Sequence, residues 1–343
     1  MDILKSRIIN EDMFIKLLEP ISDESLELMA SRVSEEHLKH FGKAITLYTP
    51  LYLANHCVNQ CVYCGYNAKN KIKRHQLSLE EVTQEAQAIS QTGLRHILIL
   101  TGESEKDTPV SYILDAIKIL KKYFDSIAIE IYPLSTEDYL KMVEAGVDSL
   151  TIYQEVYDRT RYQEVHPYGP KSHYDYRLNA AKRAADAGIF HINMGALLGL
   201  HNWQSEVYAL GCHVKSLQDE YPGVNFSVSV PRIRPFIGQT FKSIEIKDRV
   251  LVQIILALKL FLPSMGITLS TRETADFRDS MLPLGISKVS AGVMTSVGGH
   301  GSESEGDSQF DIADNRSVEE MVISLKKYGY QPVLKDWVDL YVE

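Results

Sequence analysis

The feature that most limits what this chain can fold into is a regular alternation starting near residue 44. Short runs rich in β-branched and aromatic residues occur at 45–53, 96–101, 127–132, 149–153, 191–197, 225–230, 267–271 and 286–290. Such runs suit a pleated, buried surface. Between them lie stretches with helical apolar spacing and clear end signals. Ser78-Leu-Glu-Glu81 and Ser317-Val-Glu-Glu320 read as capping boxes, in which the serine oxygen accepts from an unpaired helix N–H and the glutamate reaches back to the cap. Gly93, Gly146 and Gly188 stand where helices must end just before a strand. Eight strands, each followed by a helical stretch, are the count of an α/β protein of (β/α)8 TIM-barrel type; a doubly wound parallel sheet is the alternative. The barrel unit is expected over 44–343, including a short C-terminal extension, with residues 1–43 forming two amphipathic helices packed on it.

Composition narrows the class of partner. With 45% hydrophobic and 24% charged residues the chain has the make-up of a globular protein with a large core. A net charge of -9 argues against nucleic acid or an anionic membrane surface as its main partner. The longest apolar run, 250–262, is interrupted by Gln253 and Lys259 and falls short of the roughly 18 residues a membrane span needs. Residues 1–14 contain no apolar segment of signal-peptide type and carry three acids, so a cytoplasmic location is expected.

Three of the four cysteines sit together as Cys57-Val-Asn-Gln-Cys61-Val-Tyr-Cys64, directly after the first strand. Three thiolates on one loop can ligate three corners of an iron-sulfur cubane and leave the fourth iron open. A structural zinc would want four closed ligands; His56 abuts Cys57 and His75 lies beyond a basic stretch, neither at usual zinc spacing. Cys212 falls in a helical stretch and reads as a small buried hydrophobe.

The C-x3-C-x-aromatic-C pattern, with Tyr63 as the aromatic, resembles the signature of the radical S-adenosylmethionine (SAM) superfamily. The resemblance implies a [4Fe-4S] cluster on Cys57, Cys61 and Cys64 whose open iron binds SAM, and reductive cleavage of SAM to a 5'-deoxyadenosyl radical. Further motifs match in chain order. Thr101-Gly102-Glu103 stands where the family has Gly-Gly-Glu, which receives the methionyl ammonium; here Thr replaces the first glycine. Glu155 and Arg177 resemble the polar pair at the methionyl part, with Arg177 on the carboxylate, and Gly195-Ala-Leu-Leu-Gly199-Leu200, including Leu198 and Leu200, resembles the motif beside adenine.

The stretches Leu47-Tyr-Thr-Pro-Leu-Tyr52, Lys71-Ile-Lys-Arg74, Tyr153-Gln-Glu155, Pro231-Arg-Ile-Arg-Pro235, Leu269-Ser-Thr-Arg272-Glu273 and Lys335-Asp-Trp337 narrow the resemblance to the aromatic amino acid lyases. Within them the chain is most similar to the tyrosine lyases of thiamine biosynthesis. That implies cleavage of L-tyrosine at Cα–Cβ to 2-iminoacetate and 4-methylphenol, after hydrogen is taken from the amino nitrogen. It also implies flavodoxin or ferredoxin as electron donor and thiazole synthase as a partner. By the same resemblance Arg272 clamps the substrate carboxylate, and Ser290 and Tyr52 neighbour the amino acid backbone. Arg232 and Arg234 could contact substrate or order the loops, and no residue is assigned to the phenol. Tryptophan as substrate, and a non-catalytic iron-sulfur or zinc protein, are the alternatives. The tyrosine lyases of hydrogenase maturation carry a C-terminal extension with its own cysteine-ligated cluster; no Cys follows Cys212, so production of carbon monoxide and cyanide is not expected. The glycine-rich loop around 296–312 could be a lid or a plain connector.

Overall fold

A computed structural model describes residues 2–301 and 306–335. Positions 302–305 of the glycine-rich loop, and the Lys335-Asp336-Trp337 stretch from Asp336 onward, lie outside the described residues. A 3-10 turn (Asp2–Lys5) leads into helices α1 (Glu11–Leu17) and α2 (Asp23–His40). The alternation follows as β1 (Ala44–Ala54), α3 (Leu79–Gln91), β2 (His96–Thr101), α4 (Val110–Leu120), β3 (Ser126–Glu130), α5 (Thr136–Ala145) and β4 (Ser149–Glu155). Three short helices come next, α6 (Arg159–Val165), α7 (Tyr174–Leu178) and α8 (Ala180–Asp186), and then β5 (His191–Ala196), α9 (Trp203–Glu220) and β6 (Asn225–Ser229). The chain continues through α10 (Asp248–Phe261), β7 (Gly266–Leu269), α11 (Ala275–Met281), β8 (Lys288–Ser290), α12 (Val318–Lys327) and β9 (Gln331–Val333).

Strands β1 to β8 form a closed parallel barrel, because β1 pairs with both β2 and β8. The barrel expectation holds and the open doubly wound sheet does not. Strand β9, which the sequence reading lacked, runs parallel to the start of β1 through Ala44↔Gln331 and Thr46↔Val333. It is three residues long with Pro332 at its centre, a pattern that reads as non-strand and is tolerated only at an edge. Both faces of the barrel strands are buried, as parallel sheets require. In β3, Ile127 and Ile129 are fully buried, while Ala128 and Glu130 face the barrel interior.

Local signals behave as their chemistry dictates. Both capping boxes form, at Ser78 with Glu81 and at Ser317 with Glu320, and α5 ends on Gly146 in the left-handed conformation. The N-terminal helices pack on α9 and α10: Phe14 stacks on Phe261 with centroids 4.3 Å apart. A Cβ at Gly211 in α9 would lie 2.5 Å from the Phe14 ring. Glycine inside a helix costs about 1 kcal/mol relative to alanine, and here it admits the aromatic ring. Gln253, which interrupts the apolar run, donates to the Leu17 and Glu19 carbonyls at 2.8 and 2.7 Å and so satisfies the end of α1. Lys259 does the same for the chain after α10, donating to the carbonyls of Pro263 and Met265. Among the described residues, no helix is long and apolar enough to cross a membrane.

Candidate active site

The site is a cavity at the C-terminal end of the barrel, where the loops after the strands converge. It has about 1650 Å³ of atom-free space including its open mouth, room for a nucleoside cofactor and an amino acid together. Cys57, Cys61 and Cys64 all line it. Their loop is fixed against the end of β2: the Val58 amide donates to the Glu103 carbonyl at 2.9 Å, and the Asn59 side chain donates to the Glu103 carboxylate. Gly102 lies so close beneath this loop that a Cβ there would be 2.2 Å from the His56 carbonyl oxygen and 3.1 Å from the Cys57 Cβ. Of the Thr101-Gly102-Glu103 triplet, the second position is therefore the one that must be glycine.

Among the described residues, no three His, Cys, Asp or Glu side chains converge on a single-ion position. The three cysteines instead share a cavity wall, the arrangement for thiolates that each take a different iron. Burial pushes the Cys61 thiol up to about 12 and raises that of Cys64, so thiolates here require the positive charge of a metal centre. Thr101 Oγ1 is buried in the same wall with no partner among the described residues. The donor set and the orphaned hydroxyl fit the cluster and a polar ligand beside it.

Past β4 the backbone departs from regularity. Glu155 adopts φ 71°, a left-handed conformation that non-glycine residues hold at a cost of order 1–3 kcal/mol. The β4–β5 register shifts at the same place, between Tyr153 and Glu155. The bulge aims the Glu155 carboxylate at Lys171 Nζ, 2.8 Å away, and both line the cavity. Arg177 is buried and donates from Nε to the Tyr153 carbonyl at 2.6 Å; its helix is broken from the next at Asn179. Tyr63 bonds His166 Nε2 at 2.6 Å, and His166 Nδ1 lies 2.9 Å from the Tyr162 carbonyl. Burial, then the charges of Lys171 and Arg177, hold His166 well below its ordinary range. The neutral ring thus donates from Nδ1 and accepts the Tyr63 hydroxyl at Nε2.

Arg272 lies beyond β7 and lines the cavity, with its guanidinium 3.5 Å from the Phe310 ring centroid. It pairs with neither Glu273 nor Glu155. Arg232 takes Glu273 in a forked pair and also bonds Asp248 and the Ile246 carbonyl, so Arg232 orders the loops. Tyr52 donates to Gln309 Oε1 at 2.8 Å, and Gln309 Nε2 lies 3.7 Å from Cys64 Sγ. Ser290 Oγ accepts from the Thr271 amide at 3.1 Å. Arg272, Tyr52 and Ser290 thus share one cavity with the cysteines. Leu198 and Leu200 do not line it; Leu197 does. Leu198 instead bridges to Arg232, and Leu200 packs with Val156, Tyr162 and Val165. Cys212 is half-buried in α9 rather than buried.

Sequence reasoning missed Asn59, Lys171, Glu130, Gln309 and Phe310, all cavity residues. Their partners are far away in the chain, as in Lys171 with Glu155 or Gln309 with Cys64, so no spacing announces them. Glu130 did carry one weak signal, a charge inside an otherwise apolar run.

Residues 51–209 match the radical SAM superfamily and residues 229–331 the biotin and thiamin synthesis associated domain. The chain is 36% identical over 333 residues to 2-iminoacetate synthase of Escherichia coli (strain K12), covering 97% of this chain and 88% of that protein. The same enzyme of Salmonella typhimurium is also 36% identical, over 335 residues, with 97% and 89% covered. Among solved structures, the FeFe-hydrogenase maturase HydG from Carboxydothermus hydrogenoformans superposes with a TM-score of 0.91 at 32% identity, covering 97% of this chain and 78% of that one. Radical SAM enzymes use a [4Fe-4S] cluster and SAM, and the cysteine loop, the glycine it rests on and the near full-length identity agree: the chain belongs to the 2-iminoacetate synthase family of the radical SAM superfamily.

Proposed function

We propose that the chain is the tyrosine lyase its family implies, cleaving L-tyrosine at Cα–Cβ to 2-iminoacetate and 4-methylphenol for the thiazole of thiamine. The observation that carries this reading is that Cys57, Cys61, Cys64 and Arg272 line one cavity, with Arg272 free of any carboxylate among the described residues. When bound, the cluster and SAM supply a one-electron cleavage whose product radical takes a hydrogen from the substrate amino nitrogen.

The chain's own residues hold and orient. Cys57, Cys61 and Cys64 would hold the cluster; Glu103, Glu155 and Arg177 would hold the methionyl group, with Tyr63, Thr101 and Gly102 along its path. Leu198 and Leu200 would present backbone rather than side chain to the adenine, since Leu198 packs into the main core and Leu200 with Val156, Tyr162 and Val165. Arg272, already oriented by Phe310, would fork onto the tyrosine carboxylate, a geometry suited to guanidinium. Ser290 and Tyr52 would flank the amino acid backbone. A flavodoxin or ferredoxin would supply the electron, thiazole synthase would take the product, and the cytoplasm would keep the thiols reduced.

A competition assay over aromatic amino acids tests the reading. Preferential consumption of tyrosine with release of 4-methylphenol supports it; preferential consumption of tryptophan overturns the substrate and keeps the chemistry.

A further inference from the structure

Four carboxylates line the cavity: Glu103, Glu130, Glu155 and Glu273. Three have partners. Asn59 donates to Glu103, Lys171 to Glu155 and Arg232 to Glu273. Glu130, the last residue of β3, has no hydrogen bond or ion pair among the described residues and points into the barrel. Its level is fixed by strand register, for Tyr52 pairs with Leu100 and Leu100 with Glu130. Glu130 therefore lies on the row of Tyr52, below the loop that carries the cysteines.

The charged and titratable groups facing it are Glu155 and Tyr153 from β4, Tyr48 and Tyr52 from β1, and Arg272, Lys171 and Arg177 from the loops and α7. Of the cations, Lys171 is held by Glu155 and Arg177 by the Tyr153 carbonyl. Arg272 makes only a long bond, 3.4 Å, to the Arg232 carbonyl and pairs with no carboxylate among the described residues, so it and Glu130 are a cation and an anion in one chamber, sensing each other without touching. An α-amino acid presents a carboxylate and an ammonium on one carbon, which is the complement of that pair. The reaction adds a second requirement. Removing hydrogen from an ammonium is unfavourable, so the amine must shed a proton inside the closed site.

We propose that Glu130 receives the substrate α-ammonium opposite Arg272 and takes one of its protons, leaving a neutral amine and an uncharged carboxyl. An N–H bond breaks, an O–H bond forms, and no oxidant or reductant is involved. Burial, and then the neighbouring Glu155 charge, push Glu130 up to about 7, which suits a group that must hold a proton near neutral pH. This inference rests on the tyrosine-lyase reading.

The test uses anaerobic, cluster-loaded protein with SAM and no reductant, so that binding is read without turnover. The ligands are L-tyrosine, L-phenylalanine and 3-(4-hydroxyphenyl)propanoate, which lacks the amine. Glu130→Gln is expected to weaken both amino acids about tenfold or more and to leave the deamino acid within about twofold. Native affinity for tyrosine is expected to rise between about pH 6 and about pH 8 as Glu130 ionises, a rise that the Gln variant lacks and Glu130→Asp retains in part. Native-like iron content and SAM binding show that the variant is folded; if it does not fold, the native pH profiles of tyrosine and the deamino acid carry the test. With reductant added, Glu130→Gln is expected to lose about a hundredfold in kcat at saturating tyrosine. Unchanged tyrosine binding and turnover in Glu130→Gln would overturn the assignment alone. A loss confined to the two phenol-bearing ligands would also overturn it, placing Glu130 at the ring. Failure of the native protein to cleave tyrosine would remove the function itself and this assignment with it.

Discussion

The Arg272 guanidinium sits over the Phe310 ring at 3.5 Å from its centroid, held by a residue near the end of the glycine-rich loop rather than by a carboxylate. The aromatic face orients the cation without neutralising it. Arg272→Ala is expected to raise the tyrosine KM about a hundredfold, or roughly 3 kcal/mol, with SAM binding unchanged. Phe310→Ala is expected to raise it about tenfold, since the cation stays but loses its support. Steady-state kinetics on the reconstituted protein measure both, and unchanged KM in Arg272→Ala would show that the carboxylate binds elsewhere.

Gly102 supports the cysteine loop by having no side chain. With a Cβ placed 2.2 Å from the His56 carbonyl oxygen, Gly102→Ala is expected to displace Cys57 and to lower iron content after reconstitution well below four per chain. Gly223→Ala, where nothing lies within 4 Å, is the control and is expected to load normally.

A buried ion network locks the region behind Arg272. Arg278, fully buried, donates to Asp314 and to the Ser290 carbonyl; Arg316 bridges Asp314 and Asp279. Removing the anion leaves Arg278 buried without compensation. Asp314→Asn is therefore expected to lower unfolding free energy by about 3–5 kcal/mol in denaturant titrations.

The same network sets an acid limit. Burial works against ionisation of Asp314, but hydrogen bonds from Arg316 and the charge of Arg278 more than offset it and hold the carboxyl below its ordinary 3.8. A depressed carboxylate contributes its stability fully above the unfolded value and loses it as pH falls through the folded one. Native protein is expected to lose this contribution only below about pH 4, whereas Asp314→Asn shows no such step; chemical unfolding across that range reads the difference.

Much of the barrel was legible because it is written locally. Each barrel strand falls in a short contiguous run rich in β-branched or aromatic residues, and caps such as Ser78 with Glu81 satisfy N–H groups within one turn. Strand β9 escaped because Pro332 reads as a breaker and only its edge position excuses it. The cysteine loop was legible because its three thiols are close in the chain. Glu130, Lys171 and Gln309 were not, because each gains its meaning from a residue on another strand or loop. Arg272 was found by resemblance, yet its freedom from Glu273 depends on Arg232 reaching that carboxylate first.

The most direct measurement is a single-turnover assay of anaerobically reconstituted protein with SAM, a low-potential reductant and L-tyrosine, quantifying 5'-deoxyadenosine and 4-methylphenol together. The expected result is formation of both in near-equal amounts, dependent on tyrosine and abolished in Cys64→Ala. Formation of neither, with an intact cluster, would contradict the assignment of this chain as a tyrosine lyase.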